Sequence, residues 1–199
     1  MGGSFRRLVP VRARNTRDDA RPRGLAFRIC QQHLHRRLRY PVRSTSPFQR
    51  IVPVTAAQLW QGWTHAPTLM KWFTPAPWKT IDAEIDPRPG GIFRTVMRGP
   101  DGEAGDDGVG CVLEAVPNER FVWTTALGPG YTPNAVPEGG FHFTGILEFL
   151  PAPGDAPRGS TLYRATGRHA TKASADQHAA MGFEVGWGLA LDQLVALFA

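Results

Sequence analysis

The candidates for moving a proton from an inward position in the body of this chain are Arg94, His142, Glu148, His169 and Glu184. General acid–base chemistry asks for such a group facing inward, with its pKa displaced toward the working pH. Strand alternation works against two of them. Phe141 and Phe143 share one face of a strand, so His142 and Glu148 fall on the other, outward face unless a bulge at Gly145 reverses the register. Glu184 follows Phe183 and sits at the edge of a helix's covering face. A solvated or structural role is the ordinary one for such groups, and no catalytic residue is assigned. Metal chemistry is no better supplied. The six histidines are scattered, and the one His-x-His pair, His33 and His35, stands alone near the start of the chain, too few ligands for zinc. There is no P-loop, no Gly-x-Gly-x-x-Gly and no Gly-x-Ser-x-Gly elbow. No metal site and no cofactor is expected.

What the chain offers instead is indole. It has six tryptophans, and Trp60, Trp63, Trp72 and Trp78 fall within 19 residues, with Trp187 recurring near the end. Tryptophan is bulky and its N–H needs a partner when buried, so such a cluster suits the wall of an apolar cavity. Alternation adds Phe93, Thr95 and Met97 on one strand face, Phe121, Trp123 and Thr125 on another, and Phe141 with Phe143 on a third. The expected ligand-binding lining is Trp60, Trp63, Trp72, Phe73, Phe93, Met97, Trp123, Phe143 and Trp187. Pockets of this make-up are apolar with a few polar groups that fix orientation.

The elements that must carry these residues follow from local pattern. Phe48–Val54 reads as a strand. Thr55 and Gln58 have the form of a capping box, opening a helix that runs to Thr64. Pro67 starts a second short helix bearing Leu69, Met70, Trp72 and Phe73, which Pro75 and Pro77 stop. Strands are expected at Thr80–Ile85, Ile92–Met97, Gly108–Val116, Arg120–Ala126, Phe141–Leu150 and Ser160–His169, joined by Gly- and Pro-rich turns in an antiparallel meander. One helix is expected from Ala173 to Phe198, with Ala180, Phe183, Trp187, Leu191, Leu194 and Phe198 along one face. Gly182, Gly186 and Gly188 interrupt that stripe. Close backbone packing is preferred as their reason over a bend or free space for a ligand.

Charge divides the chain at about residue 47. The first 47 residues hold twelve arginines against two acids, net +10, whereas the remainder is net −4. The basicity belongs to the head, so no nucleic-acid contact is expected of the folded domain. Residues 1–46 are read as a basic, disordered extension, with the composition of an organellar transit peptide and a short helix around Ala26–Leu38 as one option, and 47–199 as one domain. The head has no apolar core of a secretory signal, and no apolar run approaches the ~20 residues of a membrane span. Two cysteines, Cys30 and Cys111, exclude a disulfide framework and fit a reducing, cytoplasmic setting.

In order and in motif the chain resembles the SRPBCC (START-like, Bet v 1-like) superfamily. More narrowly, it resembles the bacterial branch related to the C-terminal domain of the activator of Hsp90 ATPase (AHSA1). The segments that carry this are Leu59-Trp60 through Trp72-Phe73, Asp86-Pro87-Arg88-Pro89-Gly90-Gly91-Ile92-Phe93, Val116-Pro117-Asn118-Glu119-Arg120-Phe121-Val122-Trp123, and Gly186-Trp187-Gly188-Leu189-Ala190-Leu191-Asp192-Gln193-Leu194. The resemblance covers about residues 47–199. Ala66 departs from it, standing where this group commonly has an acidic helix cap. It implies an α+β helix-grip fold: a curved antiparallel sheet around a long C-terminal helix, with two short helices after the first strand. It implies a small hydrophobic or amphipathic molecule as partner, held in an aromatic cavity between sheet and helix, with catalysis not required. Two alternatives stay open, a polyketide cyclase or aromatase-like enzyme and a chaperone-associated adaptor. Oligomeric state is open, a homodimer being one option.

Overall fold

The computed structural model describes residues 48–199. The basic head, its expected helix and the His33–His35 pair lie outside the described residues.

Strand β1 (Phe48–Val52) leads into helix α1 (Ala56–Thr64). The expected capping box is formed: Gln58 N donates to Thr55 Oγ1 at 3.2 Å and Thr55 N donates to Gln58 Oε1 at 2.8 Å. Helix α2 (Ala66–Leu69) follows, then β2 (Lys79–Ile85), β3 (Ile92–Arg98), β4 (Ala104–Val116) and β5 (Arg120–Thr124). The loop after β5 carries a two-residue hairpin, β6 (Leu127–Gly128) and β7 (Thr132–Pro133), around a 3₁₀ turn at Pro129–Tyr131. Strands β8 (Phe143–Pro151) and β9 (Thr161–His169) complete the sheet, and helices α3 (Lys172–Ala180) and α4 (Phe183–Ala196) complete the described chain. Seven strands form one antiparallel sheet in the order β1-β9-β8-β5-β4-β3-β2. Register shifts at Thr80/Asp82, Val96/Arg98 and Val112/Glu114 add local twist that helps the sheet curve. No shift occurs at Gly145, which pairs regularly with Trp123 and Gly167. The α+β helix-grip expectation is met.

Packing of α1 and α4 into the concave face makes the core. Leu59, Trp63, Leu69, Phe121, Leu147, Leu191 and Leu194 are buried. At the crossing of α1 and α4, a Cβ on Gly62 would lie 2.5 Å from Leu194 Cδ1, so glycine is what lets the two helices approach. Among the described residues, no helix is long and apolar enough to cross a membrane.

Several boundaries differ from expectation. The second short helix stops at Leu69, so Met70, Trp72 and Phe73 lie in the turns after it, where Lys71 and Trp72 N–H bond only three residues back. Strands β1 and β5 each end two residues early, at Val52 and Thr124. The single C-terminal helix is two: α3 ends at Ala180, and Gly182 adopts φ 85° and ψ 31° before α4 begins. The apolar stripe belongs to α4, while α3 buries only Ala175 and has no face of its own to continue the period. Gly182 serves by its left-handed backbone, not by close packing: a Cβ there meets nothing within 4 Å. Gly186 and Gly188 are not tightly packed either, their nearest neighbours being Pro75 Cγ at 3.9 Å and Phe48 Cε2 at 3.8 Å. Strand β4 starts four residues early, at Ala104, because pairing with β3 continues to Arg98. Strand β8 starts at Phe143, leaving Phe141 and His142 in the preceding loop, where strand alternation does not apply.

Candidate functional site

Between the concave sheet and the helices lies a cavity of about 390 Å³. Its floor is laid by alternate residues of β3 (Phe93, Thr95, Met97), β4 (Gly108, Gly110), β5 (Trp123) and β8 (Phe143). Register explains the room: Phe93 pairs with Gly110 and Thr95 with Gly108, so two floor positions of β4 carry no side chain. The roof is α1 (Trp63), the segment after α2 (Trp72, Phe73, Pro75), and the α3–α4 break and first turns of α4 (Met181, Gly182, Phe183, Gly186, Trp187).

Of the nine residues expected at the lining, eight are on this wall: Trp63, Trp72, Phe73, Phe93, Met97, Trp123, Phe143 and Trp187. Trp60 is not. It packs edge-on against Phe121 at 6.0 Å, because a step of three residues turns it about 60° away from Trp63 and sets it about 4.5 Å back along the helix. Trp78, from the same cluster, lies over Gly99 and Gly105. The wall is held by ring contacts. Phe93 stacks on Trp123 at 4.4 Å, Trp123 meets Phe143 edge-on at 5.1 Å, and Trp63 stacks on Trp187 at 5.8 Å. Indole N–H groups are partly used inside the wall: Trp72 Nε1 donates to Gly62 O at 3.0 Å and Trp187 Nε1 to the Tyr163 hydroxyl at 2.8 Å. Full burial pushes the Tyr163 pKa up, so it stays a neutral phenol.

Among the described residues, no Asp, Glu, Lys or Arg lines this cavity, and its one titratable group is His178 on α3. His178 Nδ1 and His169 Nε2, at the end of β9, are 2.9 Å apart. Phe141, Phe143 and Phe183 surround the His178 ring at 5.1, 4.9 and 4.6 Å. Burial, and then repulsion from His169, pushes the His178 pKa down to about 4, and burial lowers that of His169. The pair is therefore neutral near pH 7, sharing one proton in a single hydrogen bond.

Beside the cavity and continuous with it through Gly108, Thr125, Phe143, His178 and Met181 is a wetter groove of about 700 Å³ under the loop before β8. Two side-chain amides pin that loop. Asn134 Nδ2 donates to Val109 O at 2.8 Å and to Thr125 O at 3.0 Å, and Gln177 Nε2 donates to Gly139 O at 3.0 Å. His142 lines this groove with Nε2 3.2 Å from Asn134 O, so it is not the outward strand residue that alternation suggests.

The other proton-transfer candidates lie off the cavity. Arg94 bonds Asp82 at 2.7 Å, Glu148 takes Arg120 at 3.0 Å and Arg164 at 3.5 Å, and Glu184 is exposed. Sequence reasoning kept His169 but missed His178 and the two floor glycines. Spacing gives no sign of the histidine pair, nine residues apart, because it is made by the turn from β9 into α3. The glycines were visible as Gly108-Val109-Gly110, alternate positions of an otherwise bulky strand. Among the described residues, no group of three or more His, Cys, Asp or Glu could hold a metal ion.

The sequence model of the family described as "Activator of Hsp90 ATPase homolog 1-like protein" matches residues 53–199. Protein NE0264 from Nitrosomonas europaea is similar in structure, with 37% identity and a TM-score of 0.68 over 76% of this chain and 91% of that one. A protein from Rhodobacter sphaeroides (24% identity, TM-score 0.63, 76% and 90% covered) and protein Ms6760 from Mycobacterium smegmatis (23%, 0.58, 77% and 89%) share the fold. No curated protein matches the chain.

Proposed function

This chain belongs to the activator of Hsp90 ATPase homolog 1-like family, within the SRPBCC superfamily, and on that premise we propose that it binds a small hydrophobic or amphipathic molecule between sheet and helix. The family fits ligand binding in a hydrophobic cavity in general; the observation that supports it here is the cavity of about 390 Å³ walled by eight aromatic side chains. Burial of apolar surface supplies the affinity, at about 25 cal/mol per Å² before the entropic cost of binding. The bound part of the molecule is apolar and flat enough to lie among rings, and a polar end extends into the adjoining groove.

Binding is favoured over a cyclase-like reaction on one ground. A general acid or base must face the reacting atoms, and among the described residues no Asp, Glu, Lys or Arg lines the cavity, while the one histidine that does is engaged by His169 and pushed by burial toward its neutral form. The test is native mass spectrometry of protein purified without denaturant, followed by titration of the bound species into the wild type and Trp123→Ala. Extra mass that disappears on unfolding, and an affinity about tenfold weaker in Trp123→Ala, is the expected result. A bare chain that also fails to take up apolar probes would overturn it.

A further inference from the structure

Resting on the binding reading above, we infer that His178, held by His169, is the group that orients the ligand, and that it does so by donating a hydrogen bond from Nε2 to an uncharged acceptor such as a carbonyl oxygen. The inner cavity and the outer groove meet at His178. Its Nδ1 is occupied by His169, which leaves Nε2 as the ring atom able to bond a ligand.

The direction of that bond follows from the far side of His169, whose Nδ1 is buried without a partner. If His178 donated through Nδ1, a neutral His169 would carry its own proton on Nδ1 and strand a buried N–H. If His169 donates through Nε2, its Nδ1 is a bare lone pair, and His178 must carry its proton on Nε2. Stranded buried N–H groups are the rarer defect, so the second arrangement is assigned. The rings of Phe141 and Phe143 against His169, at 5.2 and 6.0 Å, hold it in place.

The charge of the ligand's buried end follows as well. An anion entering the cavity would lose its hydration with no cationic side chain to replace it. A neutral acceptor loses little and gains one bond to a fixed, water-poor donor.

The experiment is isothermal titration calorimetry of the full chain with three probes of one shape: 2-acetylnaphthalene, 2-ethylnaphthalene and 2-naphthoate. The ketone is expected to bind about three- to tenfold tighter than the hydrocarbon, the worth of one net hydrogen bond, and the carboxylate weakest. In His178→Phe the ratio of ketone to hydrocarbon affinity falls to about one, and an unchanged far-UV circular dichroism spectrum reports an intact fold. In His178→Gln, whose amide can donate, the ketone keeps part of its advantage. Equal binding of ketone and hydrocarbon by the wild type, or an equal loss of both in His178→Phe, overturns the role of His178 while the cavity reading stands. Failure of all three probes to bind the wild type overturns both.

Discussion

Gly145 is the position where a single methyl group should be felt in both stability and binding. It pairs across the sheet with Trp123, whose indole lies over it: a Cβ at Gly145 would sit 2.9 Å from Trp123 Cε2, 3.0 Å from Nε1 and 3.2 Å from Cζ2. Carbon contacts settle at about 3.5–4.0 Å, so the ring must move by roughly half an ångström or more. It cannot retreat onto Phe93, which already stacks on it at 4.4 Å, and the open direction is the cavity. Overpacking of this kind costs about 1–3 kcal/mol. Replacing glycine returns about 0.4–1 kcal/mol by restricting the unfolded chain. The net expectation for Gly145→Ala is a loss of about 1–2 kcal/mol in urea unfolding, together with weaker uptake of apolar probes. Gly154→Ala, where a Cβ meets nothing within 4 Å, serves as the control and should be neutral or slightly stabilising. A Gly145→Ala protein as stable as the wild type, with unchanged probe affinity, would refute the claim that this glycine seats the indole.

Acid should act through the histidine pair. His178 has a folded pKa of about 4 against an ordinary 6.5, so its contribution is whole above about pH 6.5 and is lost as pH falls toward 4. The full shift would be worth about 3 kcal/mol, and solvent reaching this partly exposed ring trims that to about 1–2 kcal/mol. Urea curves from about pH 7.5 to 4.5 should fall more steeply for the wild type than for His178→Phe; parallel curves would contradict this. Gly62→Ala gains about 1 kcal/mol of helix propensity but sets a methyl 2.5 Å from buried Leu194 Cδ1. Overpacking at about 1–3 kcal/mol should win, and a rise in melting temperature would argue against close α1–α4 contact. Trp187→Phe removes the 2.8 Å donor from the fully buried Tyr163 hydroxyl, a cost of about 1–3 kcal/mol. Adding Tyr163→Phe should recover part of it in a double-mutant cycle, and strict additivity would show the two are uncoupled.

Most of the architecture was legible because its signals are local. Thr55 and Gln58 announce a helix start within four residues, and Phe93-x-Thr95-x-Met97 needs only the two-residue period of a strand to find its face. The same strand period carried Phe93, Met97, Trp123 and Phe143, since inward faces of a curved sheet converge, while the clustering of bulky rings carried Trp63, Trp72, Phe73 and Trp187. What local pattern could not carry was position across space. Trp60 shares a cluster with Trp63 but not its direction, since that depends on how α1 is rotated against Phe121. The break at Gly182 looked like a tolerated interruption, because Ala180 and Phe183 keep helical spacing across it. His169 and His178 meet only through the turn between sheet and α3, and no period in the sequence encodes that meeting. Gly108 and Gly110 matter for the side chains they lack, which a search for chemistry-bearing residues passes over.

The bulge that interrupts pairing in β2 between Thr80 and Asp82 falls on an edge strand, at Ile81. An open sheet of seven strands presents unpaired backbone at its margins, the ordinary template for aggregation. Here Lys79, Asp82 and Glu84 stand exposed along that margin, and the bulge twists it out of the flat geometry another strand would need. Arg94, by its hydrogen bond first and its charge second, holds the Asp82 carboxyl below its usual range. The guard therefore keeps its charge into mild acid, the same interval in which the histidine pair weakens the fold. A protein loosened at that pH still offers neighbouring molecules a charged, kinked edge.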